Sequence, residues 1–123
     1  MTDSILLKRI QDPAEDRDGA RILVDRVWPR GVRKTDAQLE WWAKDIAPST
    51  ELRKWFGHDP ERWPEFCRMY REELAQAPET LSKLLDYCQR GPVTLIFSAR
   101  DREHNQARVI REVLLEKLGE GKT

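Results

Sequence analysis

The chain has 123 residues, 22 Lys plus Arg against 22 Asp plus Glu, so it suits one domain with its own core and carries no net charge. That balance argues against a nucleic-acid binder that works through an overall basic field, although a local basic patch stays open. No run approaches the roughly 18 apolar residues that a bilayer crossing needs, the start "MTDSILLKRI" lacks a signal-peptide pattern, and the two cysteines fit a reducing compartment, so a soluble cytoplasmic protein with no membrane partner is expected.

"SILLKRI" (4–10) reads as a first strand, and "QDPAEDRDGA" (11–20) as a loop by its Pro, Gly and Asp content. "ARILVDRVW" (20–28) is a second strand, broken by "PRGVRK" (29–34), where Pro29 lacks a donor and Gly31 permits unusual dihedrals. "AQLEWWAKDIAPS" (37–49) fits strand and helix alike. Pro48 tilts the reading towards an extended segment over 37–47.

"STELRKWFG" (49–57) is a short helix, capped by Ser49, with Leu52, Trp55 and Phe56 on one face and Gly57 at its end. "DPERWPEFCRMYREELAQ" (59–76) has Asp59 as a cap, Pro60 at the first helical position and a stripe of Trp63, Phe66, Cys67, Tyr70 and Leu74. Pro64 should kink or tighten its first turns. "PETLSKLLDYCQRG" (78–91) is a third helix with Leu81, Leu84, Leu85 and Cys88 turned inward. "PVTLIFS" (92–98) is the clearest strand, apolar enough to be covered on both faces. A long helix over 101–118 follows, with Ala107, Ile110, Leu114 and Leu118 as its inner stripe, and 120–123 is a disordered tail. The fold class expected is a single α/β domain over 1–119, with a small, mostly parallel sheet covered by helices and the strand at 93–98 central.

In such sheets ligands bind beyond the carboxyl ends of the strands. Two corners there carry dense polar chemistry. In "SARDREHN", Asp101 would cap the final helix, whose first turn would favour an anion beside Arg100 and Arg102. Ser98 and Asn105 offer hydrogen bonds, and His104 is the candidate acid/base, oriented by Asp25 or Asp101. In "DRVWPRG", Asp25 and Arg26 interrupt an apolar strand, which requires that they be paired. Arg26 and Arg30 would hold the anion, with Trp28 as a flat wall. His58, between two helices, is a further candidate contact.

No cofactor loop and no metal-ligand spacing is present, so neither a cofactor nor a metal is expected. Cys67 and Cys88 fall on apolar stripes and read as buried thiols rather than nucleophiles. Each of these features also has a purely architectural explanation: a cap, a strut, a solvated charge.

"LVDRVWPRGVRK", "KDIAPSTELRKWFGHDPERWPEF" and "TLIFSARDREHNQA" together resemble the YeaO-like branch of the bacterial family of domain of unknown function 488. The resemblance covers nearly the whole chain and implies that the three blocks belong to one pattern, but it implies no assigned activity. Other branches carry a Cys-His-Arg type sequence near the last corner. Here that place reads "EHN", so thiol chemistry does not carry over.

Two functional readings compete. One is a small protein binding an anionic, phosphate-bearing or nucleotide-like ligand between 25–31 and 98–105, with or without acid/base chemistry at His104. The other is a non-catalytic protein- or nucleic-acid-binding module using the basic window 21–34 with Trp28, Trp41 and Trp42; zero net charge disfavours nucleic acid. The sequence leaves oligomeric state open.

Overall fold

The computed structural model describes residues 5–120. Four strands, β1 (Ile5–Arg9), β2 (Ala20–Leu23), β3 (Trp41–Trp42) and β4 (Val93–Phe97), form one sheet in the order β1-β4-β2-β3. Every pairing is parallel. The helices are α1 (Lys34–Ala37), α2 (Thr50–Phe56), α3 (Trp63–Ala75), α4 (Pro78–Arg90) and α5 (Gln106–Glu120). The α/β class, the small parallel sheet and the inner position of the last strand are as the sequence implies. β4 lies between β1 and β2 and is buried along its whole length.

The two faces of the sheet are covered differently. Val93, Leu95 and Phe97 of β4 pack into the large core with Phe66, Tyr70 and Leu74 of α3, Leu81 and Leu84 of α4, and Ile110 and Leu114 of α5. The other face meets a smaller cluster of Ile10, Leu23, Ala37 and Ile96, roofed by Trp28, Val32, Leu39 and Trp42 from the chain between β2 and β3. One face thus takes the amphipathic helices and the other a short wrapping loop.

That thinner face also holds a buried ionic knot. Asp18 is fully buried, and its carboxylate meets Lys8 Nζ of β1 at 2.8 Å and Arg21 Nη1 of β2 at 2.7 Å. Arg21 also donates to the Ala37 carbonyl, and Thr94 Oγ1 of β4 donates to the Asp18 carbonyl at 2.8 Å. The knot therefore ties three strands to the turn before β2. Gly19 permits this: its φ of 63° is left-handed, and a Cβ there would lie 2.2 Å from the Pro92 carbonyl oxygen.

Several boundaries differ from the sequence reading. β1 is Ile5–Arg9 and β2 stops at Leu23, so residues 24–33 are irregular. The ambiguous 37–47 stretch is divided between the end of α1, two strand residues and a 3-10 turn at Lys44–Ile46. The segment from Asp59 opens with a 3-10 turn at Pro60–Arg62, capped by Asp59, before α3 begins. Pro64, second in α3, has no N–H to give an α-helical bond to the turn before it. The final helix starts at Gln106, not 101, because 101–105 close on themselves. It also runs through Glu120; the rest of the expected tail, 121–123, lies outside the described residues. Among the described residues no helix is long and apolar enough to cross a membrane.

Burial alone would push the Asp18 carboxyl up, but Lys8, the Glu15 backbone N–H and Arg21 outweigh it and hold the group below its ordinary 3.8. Removing the charge while leaving both cations buried should be costly. Asp18→Asn is expected to lower the unfolding free energy by about 3 kcal/mol near pH 7 in urea titrations. A depressed carboxyl stabilises above its unfolded value, so the gap to wild type should shrink as pH falls below 3.8. A loss under about 0.5 kcal/mol, typical of a surface substitution, would show that the knot is not structural.

Candidate functional site

β2 and β4 run parallel and end on the same edge, so whatever follows them shares one space. Val24 still bonds to Ile96 O at 2.9 Å, and the chain then leaves the sheet at Asp25. Asp25 is 9% exposed. Its carboxylate accepts from Ser98 Oγ at 2.5 Å and from Gln106 Nε2 at 2.7 Å, while its carbonyl accepts from Trp42 Nε1 at 2.7 Å. Burial pushes the Asp25 carboxyl above its ordinary value; the bonds from Ser98 and Gln106 and the charge of Arg53 work against that without overcoming it.

The facing wall is anchored from several directions. Arg26 donates to Ala47 O at 3.0 Å and Pro48 O at 3.2 Å, and Tyr70 Oη donates to Ile46 O. Ser49 caps α2 by accepting from Leu52 N, and itself donates twice to Glu73. Trp28 is fixed by Nε1 to Val32 O at 2.7 Å and by an edge-on contact with Trp42. Behind them, Phe56 and Phe66 pack with ring centroids 4.6 Å apart. Gly57, at the end of α2, and His58 both take left-handed φ values, 53° and 58°; the second carries a strain cost for a residue with a Cβ. That turn sets the exposed His58 ring beside Phe56.

The 98–105 corner is a closed loop. Asp101 Oδ1 accepts from Glu103 N at 2.9 Å and His104 N at 3.0 Å, and Oδ2 meets His104 Nδ1 at 2.8 Å. These bonds, the Glu103 N–H first, hold the Asp101 carboxyl below its ordinary value. The helix cap is Asn105, whose Oδ1 accepts from Arg108 N, and whose amide donates to Asp101 O. The assignment of that cap to Asp101 is thus corrected. Arg102 is bound by both guanidinium nitrogens to Asp12, holding the Asp12 carboxyl at about 2. It braces the loop against the end of β1 and is not a cleft residue.

The two corners do meet. A cleft of about 760 Å³ lies between them, and of the candidate residues singled out at the two corners Arg30 and Arg102 lie outside its lining. The roles differ from expectation, however. Arg26 donates from Nε and Nη2 to carbonyls, so it acts as a strut as well as a lining residue. His104 is oriented by Asp101, because Asp25 is taken by Ser98 and Gln106. Its ring also meets Trp63 edge-on, and its second nitrogen has no hydrogen-bond partner among the described residues. Arg100 lines the cleft, exposed and without an ion pair among the described residues.

Sequence reasoning missed Arg53 and Lys54 of α2, and Gln106 at the start of α5, which also line the cleft. The α2 pair could have been found as the polar residues of a short helix whose apolar face is set by Leu52 and Phe56. Gln106 had a weaker signal, its place next to the true cap.

The basic window 21–34 is divided in its roles, with Arg30 and Lys34 exposed and Lys34 lying over the Trp28 ring. Arg21 is buried on Asp18, Arg26 is tied to carbonyls, and Arg33 pairs with Asp36. Lys83 sits 4.1 Å over Trp41, which stacks on Tyr87, and Lys44 lies over Trp42. No group of three or more His, Cys, Asp or Glu among the described residues is placed to hold a metal.

Residues 4–123 match a family model described as the inactive DUF488-N3 subclade. The chain is similar to the uncharacterized protein YeaO of Escherichia coli K12, with 46% identity over 111 residues, 90% of this chain and 96% of that one. It is also similar to an uncharacterized protein of Mycobacterium tuberculosis H37Rv, with 39% identity over 110 residues, 89% of this chain and 92% of that one. No solved structure matches.

A carboxyl raised in the folded state binds its proton more tightly there than in the unfolded chain. Stability tied to Asp25 is therefore present below its ordinary 3.8 and lost as pH rises through the folded value. Asp25→Asn should remove that decline, since Ser98 and Gln106 can both reorient to suit an amide. Unfolding free energies from pH 3 to pH 8 would check this; a variant that declines as steeply as wild type would clear Asp25 of the effect.

Proposed function

The chain belongs to the inactive DUF488-N3 subclade, and from that premise we propose that its cleft binds a small anion-bearing ligand without transforming it. The observation that carries the reading is Arg100: a cation lining the cleft that no described carboxylate neutralises. Arg53 and Lys54 face the same space from α2. A fixed cation at the mouth of a partly apolar cleft is the arrangement that draws in and orients an anion. His104, held by Asp101, adds a second polar contact.

The absence of chemistry rests on how the capable groups are used. The Ser98 hydroxyl gives its hydrogen to Asp25, a buried carboxylate that Gln106 also holds, so the contact serves to tie the end of β4 to the start of α5. Burial pushes the Cys88 thiol up to about 11 and raises Cys67 as well, leaving little thiolate. The description of the subclade as inactive points the same way. Both cysteines are free, as a reducing cytoplasm would keep them.

Thermal unfolding against a panel of carboxylates, phosphate, sulfate and nucleotides tests the reading. At least one anion should raise Tm in wild type. Arg100→Gln, which breaks no contact seen in the fold, should weaken that anion about tenfold or more, the loss of one charged hydrogen bond. Unchanged Tm across the panel, or turnover of any bound compound, would sink the proposal.

A further inference from the structure

Resting on that reading, we propose that the ligand is an acid with a flat apolar body, rather than a bare phosphate-type anion. A phosphate cradle is built from free backbone N–H groups at a loop or helix start. Here three of those groups are already taken. Asp101 accepts the N–H of Glu103 and His104, and Asn105 accepts that of Arg108. A phosphate at this corner would have to displace an internal carboxylate. It would also place a second charge near Asp25, whose carboxylate has no cation bonded to it.

The anion would meet side-chain charge from Arg53, Lys54 and Arg100, which line the cleft without an ion pair among the described residues. The lining also carries an apolar wall of Val27, Trp28, Pro29, Pro48, Phe56 and Phe66. Val27 is the telling one. It is 64% exposed, one of two large hydrophobic residues so exposed among those described. It is not a loose side chain on a loose loop. Arg26 before it is pinned to Ala47 and Pro48, and Trp28 after it to Val32. The two anchors hold an isopropyl group out at the cleft, where a ligand's apolar body would cover it. The cleft volume of about 760 Å³ suits a body of one or two fused rings with room for water.

The test is calorimetric titration of the full chain with 2-naphthoate, its neutral counterpart 2-naphthamide, and inorganic phosphate. The inference expects naphthoate to bind, naphthamide to bind about tenfold more weakly or worse, and phosphate neither to bind nor to displace naphthoate. Val27→Ser, a change at an exposed position that leaves the fold intact by circular dichroism, should weaken naphthoate about threefold or more. Arg100→Gln should bring naphthoate down to the level of the amide. Phosphate binding in place of naphthoate, or naphthamide binding as well as naphthoate, overturns this inference; the first leaves the anion-binding reading standing. A wild-type chain that binds no anion overturns both. An unchanged affinity in Val27→Ser removes the apolar wall from the argument and overturns it as well.

Discussion

The carboxylate of Asp25 stands where β2, β4 and α5 converge, and the geometry of the cleft depends on how it is satisfied. One oxygen takes the hydroxyl of Ser98, at the end of β4, and the other takes the amide of Gln106, the first residue of α5. Its carbonyl takes the indole of Trp42, from β3. A single residue therefore sets the spacing of the sheet's last strands and the entry of the final helix. Neutral donors satisfy it, with no cation bonded, so burial wins and the carboxyl is raised. An apolar side chain would fill the same space more cheaply but could not fix three partners at once.

The contrast with Asp18 shows two ways of burying the same group. Asp18 is more deeply buried, yet its carboxyl is lowered, because Lys8 and Arg21 are bonded to it directly. That knot lies on the thin side of the sheet, where only a loop covers β4, and it supplies by ion pairing what the helices supply by apolar packing on the other face. Asp25 sits at the strand ends, beyond the reach of either support. The sheet is thus tied at its start by charge and at its end by neutral hydrogen bonds. The cleft opens at the end tied by neutral hydrogen bonds.

Much of this was legible from the chain. The apolar run at 93–97, the caps Ser49 and Asp59, and the stripes of α3 and α4 declare themselves, because each is a local pattern with a local cause. The expectation that Asp25 and Arg26 sit in an apolar strand and need pairing there was met only in part: β2 stops at Leu23, and both groups are satisfied by neutral partners rather than by an opposite charge. What the sequence hid was the identity of those partners. Arg26 bonds to carbonyls more than twenty residues away, and such bonds leave no trace in composition. The cap of α5 was misread for a related reason. Asp101 and Asn105 are both good caps, and only the closed loop that Asp101 makes with His104 decides between them. A stripe starting at Ala107 rather than earlier was the available signal.

The cost of the cleft argues for its use. His58 holds a left-handed backbone, Val27 keeps its side chain in water, and Asp25 is buried without a bonded cation. Each is locally unfavourable, and the packing around them does not require all of them together. Such features accumulate where a fold must present a fixed surface to something else. They do not by themselves demand chemistry. Burial raises both thiols and leaves little thiolate, and the Ser98 hydroxyl is used in tying Asp25 to the end of β4. His104 retains an unpaired ring nitrogen, but its partner Asp101 holds it in a loop whose bonds are otherwise complete. The cleft thus gathers one oriented imidazole, the cations Arg53, Lys54 and Arg100, which have no ion pair among the described residues, and an exposed apolar wall around a single space at the strand ends.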